Sequence, residues 1–262
     1  MNRTAVIAIV PASLALVLGA CNTPRSTPAS TVSTVASEAR TPTTATPAAS
    51  AEPTTPAPAA APSGAAASGR TRTFDDDAAG SPPAGFSFGR TGGGPLGRWV
   101  VRAESGAPSG ANVLAQLDTD DTDFRFPVAV MNEPSLRDVR VSVRCKTIAG
   151  RVDQACGLVA RYRDENNYYV TRANALEDNI RLYTVRDGQR HQLASWSGRV
   201  APNVWHEYRL DVRGDHLEVY WDGTRVIDHH DSTFTQTGHV GVWTKADSVT
   251  VFDDLHVEAL SQ

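Results

Sequence analysis

Apolar and polar residues alternate along most of the chain after Phe74. Apolar side chains occupy every second position in four segments, namely 139–146, 158–163, 208–212 and 217–221. Because successive side chains of a strand point to opposite faces, this period predicts strands with one face in a core and one in water. No window of a dozen residues has the period of an amphipathic helix. Asp187-Gly188 and Asp222-Gly223 predict hairpin turns, since glycine accepts the positive φ that these turns require. The pattern therefore predicts an all-β domain.

The chain has 262 residues, and its composition changes near Phe74. Every phenylalanine, tyrosine and tryptophan lies at or after this position. Residues 22–69 are almost entirely Pro, Ala, Ser, Thr and Gly, which bury too little apolar surface to offset the entropy of ordering them. Residues 1–20 resemble a secretory signal peptide, with an apolar run too short to span a bilayer. We predict a signal peptide at 1–20, Cys21 with a disordered linker at 21–73, and one folded domain at 74–262.

The signal segment ends in Leu18-Gly19-Ala20-Cys21, which resembles the lipobox of bacterial lipoproteins. The resemblance implies export, lipidation of Cys21 and attachment of the protein to a membrane through that lipid. Asn22 follows the cysteine where an aspartate would signal retention at the inner membrane, so the resemblance implies the outer membrane. The alternative is an ordinary signal peptide that is cleaved beside a cysteine.

Two cysteines remain once Cys21 is set aside, Cys145 and Cys156. In an oxidising compartment such a pair predicts a disulfide. Both side chains fall on the apolar side of alternating segments, and a hairpin centred near Gly150 would place them on neighbouring strands. Two buried free thiols are the alternative, because cysteine also serves as a small apolar residue.

The formal net charge of −4 and the isoelectric point near 6.0 argue against a strongly basic nucleic-acid-binding protein. No nucleic-acid partner is predicted. Any affinity for an acidic ligand must therefore arise from a local surface and not from the overall charge.

Several motifs resemble bacterial secreted domains of the concanavalin A-like lectin/glucanase superfamily, which includes laminin-G-like modules and 3-keto-disaccharide hydrolase domains. The likeness covers residues 84–258, and the motifs lie at Gly157–Tyr162, Asn167–Val170, Arg172–Asn179, Gly241–Ser248 and Phe252–Leu255. It implies a two-sheet antiparallel β-sandwich, or jelly roll. It does not decide the function, because the superfamily includes sugar binders, hydrolases, lyases and adhesion modules.

The catalytic motifs of these relatives are missing. The glucanase pattern Glu-x-Asp-x-x-Glu is absent, and the segment 92–99 lacks the Asn-Gly-Lys-Asp-Leu of the 3-keto-disaccharide hydrolases. Adjacent acidic pairs point to opposite faces of a strand and cannot share one glycosidic bond. We therefore favour a non-catalytic domain. If the protein is a hydrolase or lyase, the candidate carboxylates are Glu177, Asp178, Asp247, Asp253 and Asp254.

Metal ligands are only weakly indicated. The seven histidines lack zinc-motif spacing, and His229-His230 is interpreted as a polar strand end, because adjacent side chains diverge. Calcium is the one cofactor considered, since laminin-G modules can bind it at their rim. The candidate ligands are four closely spaced aspartates, Asp118, Asp120, Asp121 and Asp123, which lack the glycine and distal glutamate of an EF-hand loop. A solvated acidic loop is the alternative interpretation.

The alternation of side chains between the two faces of a strand, which we call strand parity, also predicts a polar surface. If Leu158 and Tyr162 face the core, the arginine between them faces outward, and neighbouring strands could add further polar side chains to that face. The predicted ligand-binding residues are Arg161, Tyr168, Arg172, Asn174, Arg181 and Tyr183. Arginine pairs with uronate or sulfate groups, tyrosine stacks on sugar rings, and amides bind hydroxyls. Trp243, Lys245 and Asp247 surround a predicted hairpin tip and could add a rim contact. The alternative is a solvent-exposed face of paired charges.

These observations favour an envelope lipoprotein whose domain binds carbohydrate without catalysis. One alternative is a glycoside hydrolase or lyase that resembles the 3-keto-disaccharide hydrolases. Another is an adhesion or scaffold module that binds an envelope protein through a sheet face or edge.

Overall fold

The computed structural model describes residues 69–261, and every regular element in this range is a strand. The strands are β1 Arg70–Arg72, β2 Phe86–Gly92, β3 Trp99–Ala103, β4 Asn112–Gln116, β5 Arg125–Met131, β6 Val139–Ala149, β7 Ala155–Asp164, β8 Asn167–Asn174, β9 Asn179–Arg186, β10 Gln189–Ser197, β11 His206–Arg213, β12 His216–Trp221, β13 Thr224–His230, β14 His239–Trp243 and β15 Val249–Ala259. The predicted all-β class is confirmed.

The strands form two antiparallel sheets. Sheet I has the order β13-β12-β11-β6-β15-β4-β3, and β1 pairs with β15. Sheet II has the order β10-β9-β8-β7-β14-β5-β2. Their facing sides enclose the main core, to which β6, β11 and β12 contribute from sheet I and β8, β9 and β14 from sheet II. The architecture is the predicted two-sheet sandwich.

Sheet I follows the alternation of the sequence closely. Along β6, Val139, Val141, Val143 and Cys145 are buried, and each residue between them is partly exposed. The same alternation holds for most of β12. At these strands sheet I has one face in the core and an outer face that solvent reaches, whereas the outer face of β4 and β15 carries a small buried cluster of Val113, Ala115 and Val251.

Sheet II departs from the alternation because both of its faces are buried. Seven consecutive residues of β7 are buried, and so are seven of β8. The inner face joins the main core, whereas the outer face carries a second apolar cluster that includes Phe126, Tyr168, Tyr183 and Trp243. We call these four side chains the aromatic floor.

The outer face of sheet II is strongly concave. Thr91 on β2 and Tyr168 on β8 are four strand spacings apart, about 19 Å or more in a flat sheet. Their hydroxyl oxygens nevertheless lie 2.6 Å apart. A threonine and a tyrosine side chain cannot bridge the flat distance, so the sheet must curl around the aromatic floor. This curl explains why rings on an outward face are shielded from water.

Cys145 and Cys156 form the predicted disulfide, with their Cα atoms 6.5 Å apart. The expected hairpin between them is wrong, because β6 belongs to sheet I and β7 to sheet II. The two thiols meet across the core, and the bridge links the two sheets. Parity could place both side chains in the core, but it could not assign their strands to sheets.

The folded domain begins before the predicted boundary at Phe74. Arg70–Arg72 forms β1 and pairs with Leu255–Val257 of β15. Backbone pairing does not require apolar side chains, so the polar composition of this segment gave no indication of a strand. The predicted signal peptide, Cys21 and nearly all of the predicted linker lie outside the described residues. In residues 69–261 there is no helix of the length and hydropathy needed to span a membrane.

Arg161 does not face solvent as predicted. It is fully buried, and its guanidinium donates hydrogen bonds to the backbone carbonyls of Arg137, Gly214 and Phe234, at 2.8 Å and 2.7 Å for the first two. A further contact of 3.4 Å joins it to the Asp138 carboxylate. The predicted alternation fails here, because β7 is irregular after Ala160 and Arg161 has a positive φ. Tyr162 packs on the outer cluster instead of the main core, and Arg161 points to the opposite side, against loops from other parts of the chain. Arg161 therefore joins loops and is inaccessible to a ligand.

Replacing Arg161 tests this structural role. Arg161→Ala leaves several buried acceptors and the Asp138 carboxylate without their partner, so we expect the free energy of unfolding to fall by about 3–5 kcal/mol. Urea denaturation followed by circular dichroism measures this change. Arg163→Ala is the matched control, because Arg163 is exposed two residues further along β7. Similar stability of the two variants would contradict the assignment.

Candidate functional site

A row of side chains crosses the outer face of sheet II. Cross-strand pairing aligns Trp243 with Gly157, Gly157 with Arg172, and Arg172 with Arg181. Directly paired residues of neighbouring strands project from the same face. A Cβ on Gly157 would lie 3.0 Å from the Trp243 ring, so this glycine leaves room for the indole. The row brings two arginines beside the aromatic floor.

Arg172 is the buried centre of this row. Its guanidinium donates hydrogen bonds to Asn179 Oδ1 at 2.7 Å and to Glu177 Oε2 at 2.9 Å, and it lies 3.5 Å from the Tyr183 hydroxyl. The same Glu177 oxygen lies 3.4 Å from Arg181. Burial by itself would raise the pKa of Glu177, but hydrogen bonds from Asn179 and Arg172 outweigh it and lower the pKa. Glu177 is therefore held as a carboxylate.

A second carboxylate, Asp153, lies close behind Glu177. The Nδ2 atom of Asn174 donates to Asp153 Oδ1 at 2.5 Å and to Glu177 Oε1 at 3.1 Å. Lys245 Nζ bridges Asp153 and Asp123, at 2.6 Å from each. Burial raises the pKa of Asp153, and the Lys245 ammonium opposes that rise. Two carboxylates, Asp153 and Glu177, thus contact the Asn174 amide, one of them fully buried and the other partly exposed.

Arg190 on β10 covers the aromatic floor. Its guanidinium carbon lies 4.6 Å from the centroid of the Phe126 ring and 4.5 Å from that of Tyr183. Both distances fit cation–π contacts. Its Nη1 atom is buried and has no hydrogen-bond partner among the described residues. Within residues 69–261, Arg190 also forms no ion pair, so it has donor capacity that the protein does not use.

The structure brings together four of the six predicted ligand residues, namely Arg172, Asn174, Arg181 and Tyr183. Tyr168 lies in the floor with no exposed surface, and burial raises its pKa to about 12. It cannot stack on a sugar ring as expected. Tyr183 is also nearly covered, because Arg190 lies over its ring. Trp243, expected at the rim, is fully buried in the floor.

The accessible side chains are therefore different from those expected. Glu177 and Arg181 retain 37% and 34% of their side-chain exposure, and Arg190 is partly exposed. Phe124 is 42% exposed and packs edge-on against Phe126, with ring centroids 4.8 Å apart. We call Phe124, Glu177, Arg181 and Arg190 the rim. Asp153 and Phe124 were missed because they lie in loops just before β7 and β5, outside the strand pattern, and Arg190 was missed because its place over the floor depends on how the sheet curls.

Of the five candidate catalytic carboxylates, only Glu177 lies in this cluster. Asp178 accepts a hydrogen bond from the Val200 backbone N–H at 2.9 Å and has the positive φ of a turn residue. Asp247 accepts hydrogen bonds from the backbone N–H groups of residues 151–153. Burial would raise the pKa of Asp247, but these donors lower it. Both aspartates hold loop backbone in place.

The other two candidates, Asp253 and Asp254, lie on β15 in sheet I and are not part of the site on sheet II. Asp253 is buried and accepts a hydrogen bond from the Ser109 backbone N–H at 3.0 Å. Burial raises its pKa. Asp254 adopts a positive φ at the register shift of β15. The geometry does not bring either carboxylate to the rim.

The four predicted calcium ligands do not converge. They pair with three different cations: Asp118 and Asp120 with Arg125, Asp121 with Arg151, and Asp123 with Lys245. The buried Arg125 guanidinium also donates to the carbonyls of Pro95, Asp120 and Ala246, and so holds the acidic loop. Among residues 69–261 these aspartates form no group with metal-ligand geometry. The acidic loop is thus neutralised by side chains.

Comparison with solved structures supports the fold. A carbohydrate binding module from Bacillus subtilis, CBM66, has a TM-score of 0.52 and 21% identity, covering 66% of this chain and 95% of the module. The exoplasmic/lumenal domain of VIP36 in its Ca²⁺/Man-bound form has a TM-score of 0.50 and 13% identity, covering 74% of this chain and 90% of that domain. Both likenesses agree with the predicted concanavalin A-like sandwich.

Comparison of sequences identifies the family. A segment of 99 residues is 27% identical to a levanase of Bacillus subtilis (strain 168); it covers 37% of this chain and only 14% of that protein's length. The family model described as the 3-keto-alpha-glucoside-1,2-lyase-like domain matches residues 100–258, which is more than half of the chain. The chain therefore belongs to the family of 3-keto-alpha-glucoside-1,2-lyase-like domains.

Proposed function

We propose that the domain binds a carbohydrate at the rim of the concave face of sheet II. The observation that carries this proposal is Arg190, a partly exposed residue whose buried Nη1 atom has no hydrogen-bond partner among the described residues, beside an accessible Glu177–Arg181 ion pair. A buried donor without a partner is costly, and a ligand that supplies an acceptor removes that cost. Sugars carry many such acceptors.

The charges of the site favour an acidic sugar. Four cations (Arg172, Arg181, Arg190 and Lys245) face three carboxylates (Asp123, Asp153 and Glu177). A uronate carboxylate pairs well with the fork of a guanidinium. Arg190 is the cation that can accept it without losing an ion pair within the described chain. Glu177 and Arg181 would bind hydroxyls, and Phe124 offers a ring face for a pyranose.

The relatives support a carbohydrate ligand in general terms. The levanase segment and the carbohydrate binding module both come from proteins named for carbohydrates. The family description also refers to a glucoside. The selectivity for an acidic sugar rests on the arrangement of charges at the rim.

Substitutions at the rim test the proposal. We expect Arg181→Ala and Arg190→Ala each to weaken binding of a uronate-containing oligosaccharide about tenfold or more, because each removes a charge-assisted hydrogen bond. Isothermal titration calorimetry measures the affinity, and thermal unfolding checks that each variant is folded. Arg144→Ala is the matched control, since Arg144 forms a surface ion pair with Glu207 on sheet I at similar exposure, 41%. The proposal fails if the control loses as much affinity as the rim variants.

Binding to a panel of glycans tests the predicted selectivity for acidic sugars. Uronate-containing oligosaccharides should bind more tightly than neutral ones of the same length. If neutral glycans bind equally well, the acidic selectivity is wrong. If no glycan binds even at millimolar concentration, carbohydrate binding itself is wrong.

Lyase action is a second candidate, favoured by the two carboxylates around Asn174. Their oxygens lie 2.5 Å and 3.1 Å from one amide nitrogen, and their surroundings shift their pKa values in opposite directions. Opposed pKa shifts often mark an acid and a base. In a 1,2-elimination from a 3-keto-glucoside, a base takes the proton at C2, the C1–C2 double bond forms, and the aglycone leaves C1 with the bonding pair. Glu177 is the accessible carboxylate that could act as the base.

The lyase candidate predicts a product. Incubation with a 3-keto-α-glucoside should yield the ultraviolet absorbance of an unsaturated ketone, and Glu177→Gln should remove at least nine-tenths of the rate, since loss of a general base typically costs about 10²-fold or more. Glu207→Gln on sheet I should leave the rate unchanged. Absence of product with the unaltered protein, or a rate retained in Glu177→Gln, would exclude this candidate.

We also propose that the protein is exported and anchored to the outer membrane through a lipid on Cys21. The support is the sequence Leu18-Gly19-Ala20-Cys21 with Asn22 after it. Metabolic labelling with a fatty acid should mark the expressed protein, and Cys21→Ser should abolish the label and release the protein from membranes. Cys145→Ser should leave the label in place. A Cys21→Ser protein that stays labelled would refute the anchor.

A further inference from the structure

A cluster of histidine and aspartate lies on the outer face of sheet I, in the hairpin formed by β12 and β13. The cross-strand register pairs His216 with His230 and Glu218 with Asp228. The residues between them on β12 point into the core, so these four side chains share the solvent-facing side. The sequence did not reveal this group, because His229 and His230 diverge and the second histidine of the cluster comes from the opposite strand.

The three side chains of His216, Asp228 and His230 are already close together. His216 Nε2 lies 2.7 Å from Asp228 Oδ1. The two imidazole rings are stacked, with centroids 4.5 Å apart and an angle of 11° between their planes. One ligand atom from each residue lies within 4.8 Å of the other two, and this is the one such group found among residues 69–261.

Neighbouring side chains hold two of these residues in place. Asp215 Oδ1 lies 3.3 Å from His230 Nδ1, which leaves the other ring nitrogen of His230 free. Arg225 Nη1 lies 2.8 Å from Asp228 Oδ2, which leaves Oδ1 directed at His216. Metal-binding histidines and carboxylates usually have such outer partners, which fix the orientation of the ring or carboxylate.

We propose that His216, Asp228 and His230 bind one divalent transition-metal ion, with zinc as the expected class. Two imidazoles and one carboxylate suit zinc, copper or nickel, whereas calcium and magnesium prefer oxygen ligands. Bonds of about 2.0–2.2 Å in tetrahedral geometry place two ligand atoms about 3.3 Å apart. The His216 and Asp228 atoms, now 2.7 Å apart, must therefore separate slightly, and the widest separation in the group must shrink. His230 and Asp228 retain 64% and 45% of their side-chain exposure, so they have room to make that movement. Water completes the coordination on the open side.

The bound ion would connect the edge strand β13 to β12. Any ligand that binds the folded state and not the unfolded state stabilises the fold in proportion to its concentration over its dissociation constant. The site lies on sheet I, whereas the proposed sugar rim lies on sheet II. Metal binding is therefore independent of the carbohydrate proposal, and either can fail alone.

The test is a titration of the untagged full chain with zinc chloride at neutral pH by isothermal titration calorimetry. We expect saturable binding of one ion per chain. His216→Ala and His230→Ala should each weaken it at least tenfold, and Asp215→Asn should weaken it by about tenfold, as loss of an outer partner does. His229→Ala is the matched control, because it is the adjacent histidine on β13 and points to the opposite face; its affinity should be unchanged. Calcium chloride should give no binding.

Spectroscopy supplies a readout that a purely structural effect would not move. Copper(II) bound to the unaltered chain should show coupling to two imidazole nitrogens in electron paramagnetic resonance, and His230→Ala should reduce this to one. His230 is exposed, so this variant keeps the fold even if His216→Ala does not. No saturable zinc binding at millimolar concentration, equal affinity in His230→Ala and His229→Ala, or coupling to fewer than two nitrogens in the unaltered chain would overturn the proposal.

Discussion

A guanidinium withdrawn from water must find acceptors inside the protein, and the outer face of sheet II is organised around that requirement. On that face Arg172 meets it with Glu177 and Asn179. On the opposite side of β7, Arg161 meets the same requirement with the backbone carbonyls of Arg137, Gly214 and Phe234. The Arg172 contacts fix the turn between β8 and β9 on the concave side. The aromatic floor packs beside them, and the rim is what remains accessible after those contacts are satisfied.

The two sheets consequently have different outer faces. On β6 and β12 of sheet I, alternate residues reach solvent, and ion pairs such as Arg144–Glu207 are exposed and contribute little to stability. Sheet II curls around its own outer face, so the polar residues on that face are desolvated and strongly oriented. Oriented, partly desolvated polar groups are what ligand recognition needs, because they lose little entropy when they bind. This difference is the reason to propose a carbohydrate site on sheet II.

Strand parity in the sequence was sufficient to predict the sandwich and to assign many side chains to a face. It identified β6, β11 and β12, and it placed Cys145 and Cys156 inside. It failed for Tyr168, because the alternation tells which face a residue is on and not what covers that face. It failed for Arg161, because a bulge in β7 interrupts the alternation. It also could not find Asp153, which lies in the loop before β7, or Arg190, which covers the floor through the curl of sheet II. The cluster of His216 with His230 depends on hairpin register, which residue spacing along one strand does not contain.

The contacts of Glu177 bear on the choice between binding and catalysis. A general base works best when its pKa lies near the working pH, which for a carboxylate requires a pKa raised by burial or by another negative charge. Glu177 instead accepts hydrogen bonds from Arg172 and Asn179 and lies beside Arg181, so its pKa is lowered and its affinity for a proton reduced. Asp153 has the raised pKa, but it has no exposed surface, and Lys245 and Asn174 occupy its oxygens. The accessible carboxylate is thus a weak base and the stronger base is inaccessible. This separation favours recognition of a sugar over removal of a proton from it.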